Sequence, residues 1–204
     1  MKKSFWIGLL FLLSFFCIPS VSFAQQIYTV QPGDSLWKIA VKYQVGISEI
    51  IQANSQFKNP NLIYPGQKVN IPDLGGVKSI ESQVISLTNQ ERAKNGLKAL
   101  TPDWELSRVA RYKAMDMLDK NYFSHTSPTY GSPFDMMKNF GISYRSAAEN
   151  IAAGQTTPAS VVQAWMNSSG HRANILSTQS TYIGVGYAQG GSQKYYWVQM
   201  FISK

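Results

Sequence analysis

Thiols and imidazoles are nearly absent from this sequence: its 204 residues include one cysteine, Cys17, and two histidines, His125 and His171. One thiol cannot build a disulfide framework or a four-cysteine zinc site, and two imidazoles cannot form a histidine-rich metal cluster. Acid is scarce too. Asp and Glu total 11 against 19 Lys and Arg, a formal charge of +8, and beyond Asp135 the only carboxylate side chain is Glu149. The basic residues are dispersed, and after residue 24 no two of them adjoin. Nucleic-acid binding wants a basic stripe with stacking aromatics alongside, so that class is set aside. Dilute positive charge suits an anionic wall or an ordinary solvated surface equally. With 44% of residues apolar, wholesale disorder is excluded.

Residues 1–24 read as an export signal and are left out of the fold. Lys2 and Lys3 precede an almost unbroken apolar run from Phe5 to Phe16, and Ser22-Phe23-Ala24 puts small residues where a signal peptidase cuts. The run is short for a spanning helix and is followed by Pro19, so no transmembrane segment is expected after cleavage. Ser14, Phe15 and Phe16 before Cys17 do not make a lipidation site. The chain from Gln25 onward has no thiol, which suits an oxidising compartment and excludes a cysteine peptidase.

Pro72-Asp73-Leu74-Gly75-Gly76 is a breaker cluster between two differently patterned stretches. It predicts a first unit over 25–72, a linker over 73–77 and a second unit over 78–204. In the first, Ile27-Tyr28-Thr29-Val30 reads as a strand and Pro32-Gly33-Asp34 as a turn, with Asp34 or Ser35 capping the next helix. Leu36, Ile39, Ala40 and Tyr43 recur at helical spacing over 35–43. A second short helix spans 45–54, a loop spans 59–67, and Lys68-Val69-Asn70-Ile71 is a closing strand. A βααβ unit this small is marginally stable and suits binding better than catalysis.

Tyr28-Thr29-Val30-Gln31-Pro32-Gly33-Asp34-Ser35-Leu36-Trp37-Lys38-Ile39-Ala40 resembles the opening of a LysM domain. Asn59-Pro60-Asn61-Leu62-Ile63-Tyr64-Pro65-Gly66-Gln67-Lys68-Val69 resembles its close. The resemblance implies non-catalytic binding of N-acetylglucosamine polymers such as peptidoglycan or chitin, between the loop Gly33, Asp34, Ser35, Leu36 and the loop Asn61, Leu62, Ile63, Tyr64. The chemistry agrees. An N-acetylated sugar offers an amide, hydroxyls and an apolar ring face, so its site needs polar contacts beside an apolar wall. Gly33 permits close backbone approach, Asp34 and Ser35 are polar, and Leu36, Ile63 and Tyr64 supply a wall. Gly33 and Asp34 serve equally as turn former and cap, and both roles can hold together. Trp37 and Ile39 are assigned to the core.

The second unit reads as one α+β domain. Helical spacing predicts helices over 79–95 and from Pro102 to about Lys120, then after Ser132-Pro133 and after Thr157-Pro158, each of the last three opened by a Ser or Thr cap with Pro at the first position. Ile183–Tyr187 and Tyr195–Ile202 flank Gly190-Gly191 as an antiparallel hairpin, and a parallel sheet is not expected. His125, Glu149 and His171 fall outside these elements. Two imidazoles and a carboxylate can hold a divalent metal or share a proton. Three residues spread over 47 positions need not meet, and on spacing alone the favoured reading is that each histidine caps a loop while Glu149 pairs with Arg145 or Arg172.

Asn89-x-Glu91-Arg92, Phe123-Ser124-His125, Ala148-Glu149-Asn150-Ile151-Ala152, Ser169-Gly170-His171-Arg172-x-Asn174-Ile175-Leu176 and Ile183-Gly184-Val185-Gly186 resemble the bacterial branch of the CAP superfamily, or SCP domain. The resemblance implies an α-β-α sandwich with His125 and Glu149 in a surface cleft, and His171 as candidate second histidine. It also raises a divalent cation, zinc, held by His125 and His171. No acid follows Trp165, so the second glutamate of eukaryotic members is missing. Signal peptide, LysM and CAP together resemble envelope and spore-coat proteins of Gram-positive spore formers. The reading that follows is a secreted, cell-wall-associated protein of spore coat or cortex, non-catalytic, whose CAP cleft meets a protein or lipid partner. The alternatives are a metal-assisted hydrolase of wall polymer or peptide, and a lipid-binding module. A lysozyme-type route would need Glu91 or Glu105 brought to face Glu149, and a serine route would need Ser124 paired with a base.

Overall fold

The computed structural model describes residues 26–204. The export-signal reading and Cys17 lie outside the described residues. No helix among the described residues is long and apolar enough to cross a membrane.

The first unit is β1 (Gln26–Thr29), α1 (Leu36–Tyr43), α2 (Ile47–Gln52) and β2 (Lys68–Ile71), with β1 and β2 antiparallel. Ser35 opens α1 by accepting the Lys38 backbone N–H at 3.2 Å. Val30, Leu36, Ile39, Val45, Ile50, Val69 and Ile71 close one small core. Asn54 is buried at its edge and ties helix to strand: its amide donates to the Ile50 and Asn70 carbonyls, and its Oδ1 accepts the Asn70 N–H at 2.7 Å. Trp37 departs from expectation. It is 64% exposed on the outer face of α1, while Leu36 beside it is 3% exposed in the core.

Three residues, 72–74, separate the end of β2 from α3 (Gly75–Lys94), so the expected linker is partly helix: 75–77 are its first turn. There follow β3 (Thr101–Pro102), α4 (Trp104–Asp119), α5 (Pro133–Asn139), β4 (Ser146–Ala153), α6 (Pro158–Asn167), α7 (Ser169–Ile175), β5 (Tyr182–Gly190) and β6 (Lys194–Ser203). Ser132 and Thr157 cap α5 and α6 with Pro at the first position. The same device misleads at Thr101-Pro102. Those residues pair parallel with Tyr182–Ile183, and Asp103 caps α4 by accepting the Leu106 N–H at 3.0 Å.

The sheet order is β3-β5-β6-β4, antiparallel apart from the short β3 pairing. Along β6 the faces alternate with the pleat. Tyr196, Val198, Met200 and Ile202 pack under α4 and α5, while Trp197 and Phe201 pack under α3, α6 and α7. The result is an α-β-α sandwich. Gly184 and Gly186 let α4 lie close on β5, because a Cβ at either would strike the backbone of Leu106–Ser107 or Ala110–Arg111. Arg111 on α4 and Glu81 on α3 form a buried bidentate pair at 2.7 and 2.9 Å.

Candidate functional site

Glu149 and His171 lie on regular elements after all. Glu149 is on β4, an edge strand, and His171 is on α7. β4 is alanine-rich and has no β-branched run, so it carries little sequence signal of a strand. On β4 the pleat sends Ala147, Ile151 and Ala153 toward the α4 side and Ala148 and Ala152 toward the α7 side. Glu149 therefore belongs to the first face and Asn150 to the second.

On the α4 side, Glu149 Oε1 lies 2.7 Å from His125 Nδ1. The Glu149 side chain is 1% exposed and that of His125 is 52% exposed. The pairing expected with Arg145 or Arg172 is replaced by this one. The hydrogen bond from His125 and the nearby carboxylate raise the imidazole above its usual range. Burial pushes Glu149 up against the pull of His125 and Lys113, and its Oε2 is buried without a partner. His171 is pushed down by burial and by the His125 cation, so it stays neutral at neutral pH.

Two sets of residues hold this arrangement, and most were not singled out from sequence. Lys113 on α4 is fully buried and donates Nζ to the Ser124 carbonyl at 2.8 Å and the Tyr122 hydroxyl at 3.0 Å. Asp116, one turn on, accepts the hydroxyls of Tyr122, Ser127 and Thr129. Together they pin the loop carrying His125. On the other face a buried polar chain runs between the sheet and the layer of α3 and α7. Gln199 donates to Thr88 Oγ1 at 2.8 Å, and Asn150 donates to Gln199 Oε1 and to the His171 carbonyl. Asn174 donates to Asn150 Oδ1. A lysine at helical spacing and polar residues alternating inside a strand were the available signals.

Other candidates fall elsewhere. Asn89 pairs with the Leu100 backbone, and Arg92 donates to the Lys98, Ile175 and Ser177 carbonyls, so that motif is a clamp. Glu91 pairs with Lys94 on the surface. Glu105 lines a separate cavity of about 500 Å³ with Arg145 and Lys204. Ser124 Oγ accepts the Thr126 N–H at 3.2 Å. No three His, Cys, Asp or Glu side chains converge as a metal-holding group among the described residues.

In the first unit, Asp34 accepts the Tyr28 hydroxyl at 2.7 Å and the Gln31 N–H at 2.8 Å, and these bonds hold its carboxyl below the usual range. Gly33 takes φ +84°, a conformation glycine adopts freely. Of the remaining loop candidates Asn61, Leu62 and Tyr64 are exposed, Ile63 and Ser35 are half-buried, and Leu36 is withdrawn into the core, where it offers no wall to a ligand.

Comparison with known proteins places both units. The cysteine-rich secretory protein (CAP) family matches residues 85–201, and the LysM domain matches residues 28–72. The uncharacterized protein YkwD of Bacillus subtilis is 62% identical over 128 residues, covering 63% of this chain and 49% of that protein. The spore coat assembly protein ExsA of Bacillus cereus is 49% identical over 47 residues, 23% of this chain and 7% of that one. A crystal structure of an extracellular SCP-domain protein from Bacillus anthracis superposes with a TM-score of 0.58 at 36% identity, covering 69% of this chain and 47% of that one. The chain thus spans half or less of the length of these relatives.

Proposed function

The chain belongs to the cysteine-rich secretory protein (CAP) family and carries a LysM domain ahead of that unit, and from this we propose that it is a secreted, wall-associated binding protein. LysM holds N-acetylglucosamine polymer, and the CAP cleft receives a protein partner without catalysis. The observation that carries the non-catalytic half is the supply of acid in the cleft. Glycoside hydrolysis needs two carboxyl groups flanking one bond. Here Glu149 is buried and bonded to His125, Asp116 is taken by hydroxyls, and Glu91 and Glu105 are elsewhere. Exposed Leu62 and Tyr64 beside Asn61 support the glycan-binding half. The similarity to a spore coat assembly protein over 47 residues supports placement in the spore envelope.

The His125–Glu149 pair favours one alternative, a bound divalent cation. A carboxylate that accepts from one imidazole nitrogen aims the other at a metal, and a neutral His171 is ready to ligate. The fit is partial. Zinc would be held by the two imidazoles, short of the roughly three protein ligands of a catalytic site, and the Lys113 ammonium beside Glu149 opposes added positive charge. A bound ion would supply Lewis acidity, while Glu149 orients His125 and Lys113 holds its loop. A lipid-carrying role gains nothing from the 500 Å³ cavity, whose lining includes Glu105, Arg145 and Lys204.

Incubating the protein with insoluble peptidoglycan, with and without zinc, tests the proposal. Sedimentation with no release of sugar ends or free amines is expected. Release that disappears in Glu149→Gln overturns the non-catalytic reading, and failure to sediment overturns wall binding. Zinc uptake that is equal in the chain and in a His125→Ala, His171→Ala double variant removes the metal alternative.

A further inference from the structure

The two domains touch, and the residues that meet are separate from both ligand sites. The connection offers little reach. Only 72–74 separate β2 from α3, and Leu74 packs against the LysM core. One turn into α3, Lys78 donates Nζ to the Tyr43 carbonyl at 2.9 Å, with burial pushing its ammonium down. A partly buried ammonium requires such a partner. From α4 of the CAP domain, the Tyr112 hydroxyl lies 3.0 Å from Ser48 Oγ and donates to the Glu49 carboxylate. Burial, reinforced by that bond, pushes the phenol up to about 12, so it stays a donor at neutral pH.

Gly46 sits against the same contact. It precedes α2 with φ −73°, a backbone conformation open to any residue. Yet a Cβ there would run into the Tyr112 hydroxyl and the Glu49 carboxylate. The nearest group is the Glu49 carboxylate of the same helical turn, and the Tyr112 hydroxyl from α4 closes the rest of the space, so the bare position at 46 leaves room for the Glu49–Tyr112 contact. A groove of about 340 Å³ between α2 and α4 continues the contact, and its lining includes Asp116 and Thr129, which pin the His125 loop.

We propose that the LysM domain is latched onto α4 through Tyr112, Glu49 and Lys78, and that the two domains move as one rigid body. A glycan strand held by LysM then fixes the direction in which the His125–Glu149 cleft faces. Backbone ¹⁵N relaxation on the chain from residue 25 onward tests this without any ligand. Amides of 28–72 and of 85–201 are expected to report one rotational correlation time. Gly46→Leu, which drives a side chain into Tyr112, is expected to shorten the value for 28–72 while both domains keep their strand shifts. A shorter correlation time for 28–72 in the unaltered chain overturns the proposal. A common value that persists in both Gly46→Leu and Tyr112→Phe overturns the assignment of the latch. Tyr112→Phe removes the hydroxyl without adding bulk, so it remains informative should Gly46→Leu not fold.

Discussion

The LysM domain keeps its buried apolar side chains in one cluster on a two-stranded ribbon, whereas the CAP domain buries two clusters on opposite faces of a sheet. Surface exposure follows from that difference. Ile27, Trp37, Val41, Ile51, Leu62 and Tyr64 stand exposed in the smaller domain, against Met115, Phe123 and Phe134 in the much larger one. A unit of about 45 residues has too much surface for its volume to hide its apolar side chains. The smaller domain offers apolar surface to ligands for the same reason that it is weakly held together. In the larger one burial is ample, and it accommodates titratable groups inside, namely Lys113, Glu149 and the Arg111–Glu81 pair.

Breaking that internal pair tests the contrast most strongly. Glu81→Ala leaves the Arg111 guanidinium buried without its partner and is expected to cost about 3–5 kcal/mol, seen as a lower denaturation midpoint of the CAP domain with peptidoglycan sedimentation retained. Next comes the LysM counterpart. Asn54→Ala orphans the Asn70 N–H and is expected to cost about 1–3 kcal/mol, enough to abolish sedimentation while the CAP domain still unfolds cooperatively. If both variants lose both properties together, the two domains are not separately stabilised.

The His125–Glu149 pair should respond to pH in a defined sense. His125 is raised above 6.5 in the folded chain, so its pairing with Glu149 contributes fully below 6.5 and is lost as pH rises through the folded value. His171 is lowered below 6.5 and works in the opposite direction. NMR titration should give His125 a midpoint above that of His171, and Glu149→Gln should bring the two together. Coincident midpoints in the unaltered chain would show that the 2.7 Å contact does not form in solution. The smallest effect is expected at Trp37. Trp37→Ala should leave the denaturation midpoint within about 0.5 kcal/mol, and a larger loss would place this indole in the core after all.

Helix positions were legible where periodicity and caps agree, as at Ser35, Ser132-Pro133 and Thr157-Pro158. The same cap-and-proline signal failed at Thr101-Pro102, where a parallel bridge to β5 outweighs local preference. Trp37 misled because helical spacing shows that a residue lies near an apolar face but not how wide that face is when the core is small. Glu149 stood out by its isolation in the chain. Its strand did not, since Ser146–Ala153 takes its conformation from pairing with β6 and not from its own side chains.

By itself the sequence determined the two-unit division, the order of most elements and the motif words carrying His125, Glu149 and His171. These are local properties, set by spacing, breakers and residue type within short windows. Only the tertiary structure decided that Glu149 bonds His125 and not an arginine, that Lys113 and Asp116 hold the loop between them, and that Asn150, Gln199 and Thr88 join into one buried chain. Those contacts join residues up to 111 positions apart. The physical reason is that burial leaves each polar group to find a partner within about 3 Å, and which partner is near depends on how sheet and helices stack, not on the neighbours in the chain.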